Sequence, residues 1–356
     1  MRNNKNGSFP IYGGNGISGY SDEYNIDKPT IVIGRVGFYC GSIHYVKSKA
    51  WVTDNAFITS IYGNVYDIDF LYYLLTYCNL RQYSNSTAQP VISGKTIYPV
   101  HVPVPPIKEQ RKIVEKIEFW LSCISQLEFS QSKVKSTIKQ AKSKILDLAI
   151  HGKLVQQDPN DEPASELLKR INPKAEITCD TPQYGKLPKG WCLIQGKYLY
   201  KPMKSTKPKG SFFNYIDKDS IDNAKQSIDC VKVVKTENAP SRASRHTQKG
   251  DIVFSMVRPY LKNIAIVPDN DCIASTGFYV CSPSNVEISK YCYYVMISDY
   301  TVSGLNQFMK GDNSPSINKS DIDNWLFPLP PLTEQHRIVA KIEELFAQLD
   351  KIEASL

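Results

Sequence analysis

One proline-rich run leading into a helical pattern occurs twice in this chain, and no other feature limits its folding so strongly. PVPPIKEQRKIVEKIEF spans Pro103–Phe119 and PLPPLTEQHRIVAKIEE spans Pro328–Glu344. At a shift of 225, Pro103, Pro105, Pro106, Glu109, Gln110, Ile113, Val114, Lys116, Ile117 and Glu118 meet identical residues. The match continues backwards, NLRQYSNSTAQPVISGKTI (79–97) lying over GLNQFMKGDNSPSINKSDI (304–322). Further upstream the shift drops to 221, and TIVIGRVGFYCGSI (30–43) lies over DIVFSMVRPYLKNI (251–264). Self-similarity at a fixed offset means one module built twice, here a β-rich domain followed by a helix.

The helices follow from spacing. Ile113, Ile117, Trp120, Ile124, Leu127, Gln131, Val134, Ile138, Ala141, Ile145 and Leu148 alternate in steps of four and three, an a/d seam that predicts a coiled coil. Ile338, Ile342, Leu345, Leu349, Ile352 and Leu356 keep the same phase in the second copy. Gln131 is the one polar member of the first seam, a residue type that can fix register. The paired prolines force an extended entry to each helix. Thr333 then suits an N-cap, with Glu334 and Gln335 in the first turn; Lys108 replaces it in the first copy. A first helix of about 44 residues spans about 66 Å and should end near His151–Gly152.

Period-two and short apolar runs (DIVFSMV, IAIVP, GFYVCSP) predict strands, with turns at KGD, PDND and SPSN. The expected class is α+β: two β-rich domains separated by long helices that form an antiparallel coiled coil, with a pseudo-twofold internal repeat. The expected divisions are a first domain at 1–105, a first helix at 106–153, a linker at 154–186 with one short helix at Ala164–Ile171, a second domain at 187–331 and a second, shorter helix at 332–356.

A length of 356 residues accommodates two or three cores. The net charge of +8 favours an anionic partner, although many solvated surfaces are basic. Nine cysteines never form C-x-x-C or a zinc spacing, which reads as reduced thiols in a cytoplasmic protein. No signal-peptide h-region and no run of about 18 apolar residues occurs, so no membrane partner is expected.

Motifs for catalysis fail on inspection. SGKT (93–96) lacks the glycine a phosphate loop needs, since Gln89 stands there. GGNGISG (13–19) leads into no strand-to-helix turn and reads as a tight loop with positive φ. The five histidines are isolated, which leaves no metal site. Basic residues, by contrast, collect in three runs: KPMKSTKPKG (201–210), APSRASRH (239–246) and VRPYLKN (257–263). Lysines suit phosphates, and arginine suits both phosphate and the guanine edge. A lone run of this kind reads as a solvated loop, and three within 62 residues favour a binding surface.

PLPPLTEQHRIVAKIEELFAQLDKIE, its copy at 103–128, and KILDLAIHGKLVQQDPNDEPASELLKRI (144–171) resemble the conserved regions of the specificity subunit of type I restriction-modification enzymes. APSRASRHTQKGDIVFSMVRPYLKNIAIV (239–267) and FPIYGGNGISGYSDEYN (9–25) look like two of the recurring classes of its target-recognition domain. The resemblance implies a non-catalytic protein whose two domains each read one half of a bipartite double-stranded DNA site, with the helices setting the spacing. It implies docking of two methyltransferase subunits and of motor-nuclease subunits, to which S-adenosylmethionine, ATP and magnesium belong, so that this chain holds no cofactor. Carried onto these positions, the reading residues are Lys204, Lys207, Lys209, Ser241, Arg242, Arg245, Arg258 and Lys262 in the second domain, and Tyr12, Asn15, Arg35, Lys47 and Gln89 in the first. Residue 1 aligns near residue 222, so the first domain is expected to lack about 35 residues at its start, and the second helix is cut short; pairing with a second copy could restore what is missing. The competing expectation is a truncated scaffold that docks partners through the coiled coil and reads no DNA.

Overall fold

The computed structural model describes residues 7–85, 90–178, 180–181 and 184–356. The chain divides into two compact units, Met1–Ser130 and Gln131–Leu356, and the division falls inside one long helix.

The first unit contains β1 (Phe9–Gly13), β2 (Gly16–Ser21), β3 (Thr30–Gly34), β4 (Ile43–Val46), β5 (Trp51–Val52), β6 (Ala56–Ile58), α1 (Ile68–Tyr77), α2 (Gly94–Ile97) and the start of α3 (Ile107–Ile150). Its strands form two sheets, β2-β1-β5 and β4-β3-β6. β3 is buried on both faces: Ile31 and Ile33 pack with Phe70, Leu71 and Leu74 of α1, while Val32 packs with Val46 and Val52. That explains why TIVIG reads as an unbroken apolar run. Asp67 caps α1, its carboxylate accepting from the Asp69 and Phe70 amides.

The second unit contains the rest of α3, then α4 (Ala164–Ile171), β7 (Ile177–Thr178), β8 (Asp180–Thr181), β9 (Gly185–Lys186), β10 (Cys192–Gln195), α5 (Gly196–Leu199), β11 (Phe212–Ile216), β12 (Ile221–Asp222), β13 (Ser227–Ile228), β14 (Lys232–Lys235), β15 (Ala243–His246), β16 (Ile252–Ser255), β17 (Ile264–Ile266), β18 (Cys272–Ser275) and β19 (Phe278–Cys281). It closes with α6 (Ser289–Ile297), α7 (Asp299–Asn306), α8 (Lys319–Asn324), β20 (Leu326–Leu329) and α9 (Leu332–Ala354). The main sheets are β20-β10-β7, β14-β11-β18-β15 and β17-β16-β19. β16 repeats the device of β3: Ile252 and Phe254 enter the core that includes Ile338 and Ile342, and Val253 enters the opposite one.

The two units have the same internal wiring. Ile33 pairs with Ile43 and Phe254 with Ile264, the same register at the 221 shift. Ile92 N donates to Arg35 O at 3.0 Å, as Ile317 N does to Met256 O. One expected alignment is corrected. β1 runs parallel to β5 with Ile11 opposite Trp51, as β11 runs parallel to β18 with Asn214 opposite Cys272. Strand pairing therefore places residue 11 level with residue 214, not 232, because the long excursion through β12 and β13 in the second unit is absent between β1 and β2.

The mixed α/β class and the long helices are as the spacing suggested, with two corrections. α3 and α9 pack antiparallel: Gln131 Nε2 donates to Leu356 O at 2.6 Å, and Lys142 reaches Asp350 at 2.5 Å and the Phe346 ring at 5.7 Å. Val134 is half-buried and Ile138 is buried; Ala141, Ile145 and Leu148 are half-buried, and full burial passes to Leu146, Ala149 and Ile150 as α3 turns its wider face to the globular core. On α9, Ile338 and Ile342 are buried, Leu345 and Leu349 half-buried and Ile352 exposed. The seam is not covered along its whole length: Leu356, two residues beyond the end of α9, is level with Gln131. Ile113 and Ile117 are half-buried, and Trp120, Ile124 and Leu127 are exposed at 60, 49 and 66%. Thr333, secondly, is not the N-cap of α9. Pro331 holds that place, the helix starts at Leu332, and the Thr333 hydroxyl turns to Asp161 at 2.5 Å. α3 ends as expected, with Gly152 at φ +65°.

Candidate nucleic-acid interface

In the second unit the fold brings two of the three basic runs together. The segment around Lys204 lies along the free edge of β15: His246 N donates to Lys204 O at 3.0 Å, Thr206 N donates to Ser244 O at 2.9 Å, and Ser205 forms an antiparallel bridge with Arg245. Lys207 and Lys209 follow directly on this paired stretch, and Ser241 and Arg242 directly precede β15. Lys204, Lys207, Lys209, Ser241 and Arg242 are exposed, and Arg245 is half-buried. Among the described residues, none of Lys204, Lys207, Lys209, Arg242 or Arg245 has an acidic partner within ion-pair distance, in contrast to the paired Lys232 and Lys262. Arg245 is half-buried and its Nε finds no acceptor. The edge thus presents cations and donors whose charge the protein leaves uncompensated, which is what a polyanion requires.

The third run is held differently. Arg242 O accepts from Thr276 N at 2.8 Å, and the next carbonyl, Gly277 O, accepts from Met256 N at 2.9 Å, so Arg242 and the approach to Arg258 hang on one turn between β18 and β19. Arg258 is exposed but donates from Nη2 to Asn313 O at 2.7 Å. Lys262 is ion-paired with Asp299 at 2.8 Å and also donates to Ile297 O at 3.3 Å. Both residues have positive φ, +50° and +53°, and their counterparts at the 221 shift are Gly37 and Gly41, with φ of +96° and +84°. The second unit thus places cations where the first has the residue that fits such backbone without strain, a pattern found where side chains serve function.

In the first unit, GGNGISG forms the β1–β2 hairpin. Gly14 must be glycine, since a Cβ there would lie 2.4 Å from Val36 O. Asn15 is exposed on the rim of a cleft of about 550 Å³ that Ser18, Thr53 and Asn55 also line. Arg35 borders this cleft, donating from its amide to Asn55 O at 2.9 Å, with its guanidinium 5.4 Å above the Phe57 ring. Tyr12 is half-buried against His44, and burial raises its phenol above the ordinary value, with Tyr20 adding to this. Lys47 is exposed, lies over Tyr45 at 5.3 Å and does not line the cleft. Gln89 lies outside the described residues. Sequence reasoning missed Thr53 and Asn55 in the first unit and Asn313 in the second. Their signal is only that they sit in the loops following β5 and α7.

Among the described residues, no group of three or more His, Cys, Asp or Glu side chains could hold a metal ion, and no helix is long and apolar enough to cross a membrane. The chain is a duplicated α+β protein that presents cations from strand edges and turns. It belongs to the family described as the type I restriction modification DNA specificity domain, whose model matches residues 2–141 and 196–356. It is 30% identical over 143 residues to the type I restriction enzyme EcoprrI specificity subunit of Escherichia coli, covering 39% of this chain and 34% of that one. It is 27% identical over 277 residues to the Escherichia coli EcoEI specificity subunit, covering 68% of this chain and 46% of that one. The HsdS subunit from Thermoanaerobacter tengcongensis, known from a crystal structure, aligns with a TM-score of 0.45 and 34% identity over 49% of this chain and 46% of that one. The chain therefore spans between a third and a half of the length of these relatives.

Proposed function

We propose that this chain recognises a bipartite double-stranded DNA site as the non-catalytic specificity subunit of a type I restriction-modification complex, and so directs adenine methylation and restriction by its partners. Residues 1–105 and 187–331 are the two readers, 106–153 and 332–356 the spacer helices, and 154–186 the linker. The partners are two methyltransferase subunits and the motor-nuclease subunits, which hold S-adenosylmethionine, ATP and magnesium in the cytoplasm; a second copy of the chain is a further candidate partner. In the second reader Lys204, Lys207 and Lys209 contact phosphates, Ser241, Arg242 and Arg245 reach base edges, and Arg258 and Lys262 shape the adjoining turn. In the first, Asn15 and Arg35 act from the cleft, with Tyr12 and Lys47 beside it.

One observation supports this reading: the segment that carries Lys204, Lys207 and Lys209 is hydrogen-bonded to the edge of β15, which carries Arg245, and among the described residues none of these four cations has an acidic partner within ion-pair distance. Gel-shift titration with the methyltransferase subunit present tests it. Arg242→Ala with Arg245→Ala should reduce discrimination by about 1–3 kcal/mol for each base edge that is no longer read. Lys207→Ala should weaken all sequences alike and lower the salt slope by about one unit. Unchanged site preference in the double arginine variant would overturn the reading.

A further inference from the structure

The connections from β3 to β4 and from β16 to β17 close on the same tight turn. Cys40 N donates to Gly37 O at 2.9 Å, as Leu261 N does to Arg258 O at 2.9 Å, the same pair of positions at the 221 shift. Both turns are held at their exits. Gly41 N donates to Gly34 O at 2.7 Å, and Lys262 is ion-paired with Asp299. One side chain of each turn is sunk in its unit, Cys40 in the first and Pro259 in the second. These turns are therefore fixed platforms.

What each platform holds outward is a tyrosine. Tyr39 and Tyr260 coincide at the 221 shift and are 52 and 47% exposed. Tyrosine is the one residue that GFYCG (37–41) and RPYLK (258–262) share. A single exposed aromatic is ordinary on a protein surface. The same ring at the same place in both copies, on turns whose other four residues all differ, points to a ligand common to both units.

The surroundings give that ligand's chemistry. Gly37, where the first turn begins, lines the cleft shared by Asn15, Thr53 and Asn55. Arg258, where the second begins, is tied with Arg242 to the turn between β18 and β19. In the first unit Phe38 meets Tyr39 edge-on at 5.0 Å, and the exposed Arg81 guanidinium lies 4.3 Å over the Phe38 ring. Arg81 has no acidic partner within ion-pair distance among the described residues. Flat rings beside polar groups and uncompensated cations suit a ligand with both stacked faces and phosphates.

We propose, building on DNA reading by both units, that Tyr39 and Tyr260 are wedges: each ring presses between two bases at the border of its half-site and opens that base step. Apolar wedges of this kind unstack a step in return for a better-fitted duplex. Opening costs least at pyrimidine–purine steps, so each unit selects such a step at its border without reading the base edges there. The contact carries no charge, so its share of the affinity does not vary with salt.

The test uses the full chain with the methyltransferase subunit, on duplexes carrying the split site found by mapping methylated adenines. Tyr39→Ala and Tyr260→Ala should each weaken binding at least about fivefold and leave the salt slope unchanged. Tyr39→Phe and Tyr260→Phe keep the ring and should restore the affinity. The base analogue 2-aminopurine, moved in turn through each half-site and its flanks, should brighten at one border step with the unsubstituted chain and stay dark there in the matching alanine variant. Unchanged affinity in both alanine variants, an equal loss in the phenylalanine variants, or no brightening at any position would overturn the proposal. So would loss of methyltransferase association in the alanine variants, seen by light scattering without DNA, because the ring would then touch protein. A chain that prefers the split site yet shows no wedge loses this inference alone; a chain indifferent to sequence loses the DNA-reading proposal and this one with it.

Discussion

The backbone amide of Arg258 donates to the carbonyl oxygen of Pro315 at 2.8 Å while Arg258 itself holds a φ of +50°. Gly37 makes the equivalent bond to Pro90 at 2.9 Å with a φ of +96°. The turn prescribes a left-handed backbone in both units, and arginine bears a cost there of about 1–2 kcal/mol that glycine does not. Arg258→Gly should therefore leave the unfolding midpoint nearly unchanged although it deletes the bond to Asn313. Arg258→Ala, which keeps the strain and loses the bond, should be the less stable variant by about 1 kcal/mol. Thermal unfolding of the two side by side decides this.

Gln110 and Gln335 recur because each closes its own helix entry. Gln335 Nε2 donates to Pro330 O at 2.9 Å and Gln110 Nε2 to Pro105 O at 2.8 Å, both from fully buried side chains. Gln110 also donates to Val65 O and accepts from the Asp67 amide, each at 2.8 Å. Gln110→Ala strands more backbone groups than Gln335→Ala. Each should cost about 1–3 kcal/mol in urea unfolding, with the former at the upper end.

Two carboxyls at the start of α9 should give pH slopes of opposite sign. Burial raises Glu334 above the ordinary glutamate value, against the stabilising indole of Trp191. Its folded pKa exceeds its unfolded one, so the stability it contributes is full below the unfolded value and is lost as pH rises through the folded value. Asp161 is depressed by its hydrogen bond from Arg337, 2.6 Å away. Its contribution is present above the unfolded value and is lost as pH falls through the depressed folded one. Glu334→Gln should therefore flatten the decline of stability above about pH 4.5, and Asp161→Asn should flatten the loss on acidification below about pH 4. Urea midpoints measured across that range check both signs.

The half-covered seam separates residues that look alike in sequence. Ile342→Ala should cost about 2–5 kcal/mol, since Ile342 is fully buried against the globular core. Leu127→Ala, at 66% exposure, should change stability by less than about 0.5 kcal/mol. Equal losses would mean that the stretch before Gln131 is packed in solution.

What the sequence disclosed, and what it hid, follows from the range of the forces involved. Pro105-Pro106 and Pro330-Pro331 stop a helix in any surroundings, and the four-three spacing survives any partner, so α3, α4 and α9 were legible. How far the seam is covered depends on where a second helix reaches, which no local pattern encodes. β1 was set against the wrong part of the second copy because residue likeness follows the chain, whereas Ile11 opposite Trp51 is decided by pairing across 40 positions. Lys262 looked like Lys207, and only the fold brings Asp299, 37 residues on, within 2.8 Å of it. In the opposite sense, two basic runs 40 residues apart became one surface because a free strand edge collects the segment that can hydrogen-bond to it.

Of the four tryptophans, Trp191 is buried, Trp51 and Trp325 are half-buried, and Trp120 stands 60% exposed beside Phe119 on the uncovered face of α3. The longest-wavelength, most readily quenched part of the intrinsic fluorescence therefore comes from one indole on the open stretch of the spacer. Whatever settles there will shift that emission to the blue, so the unlabelled protein carries its own optical gauge of assembly.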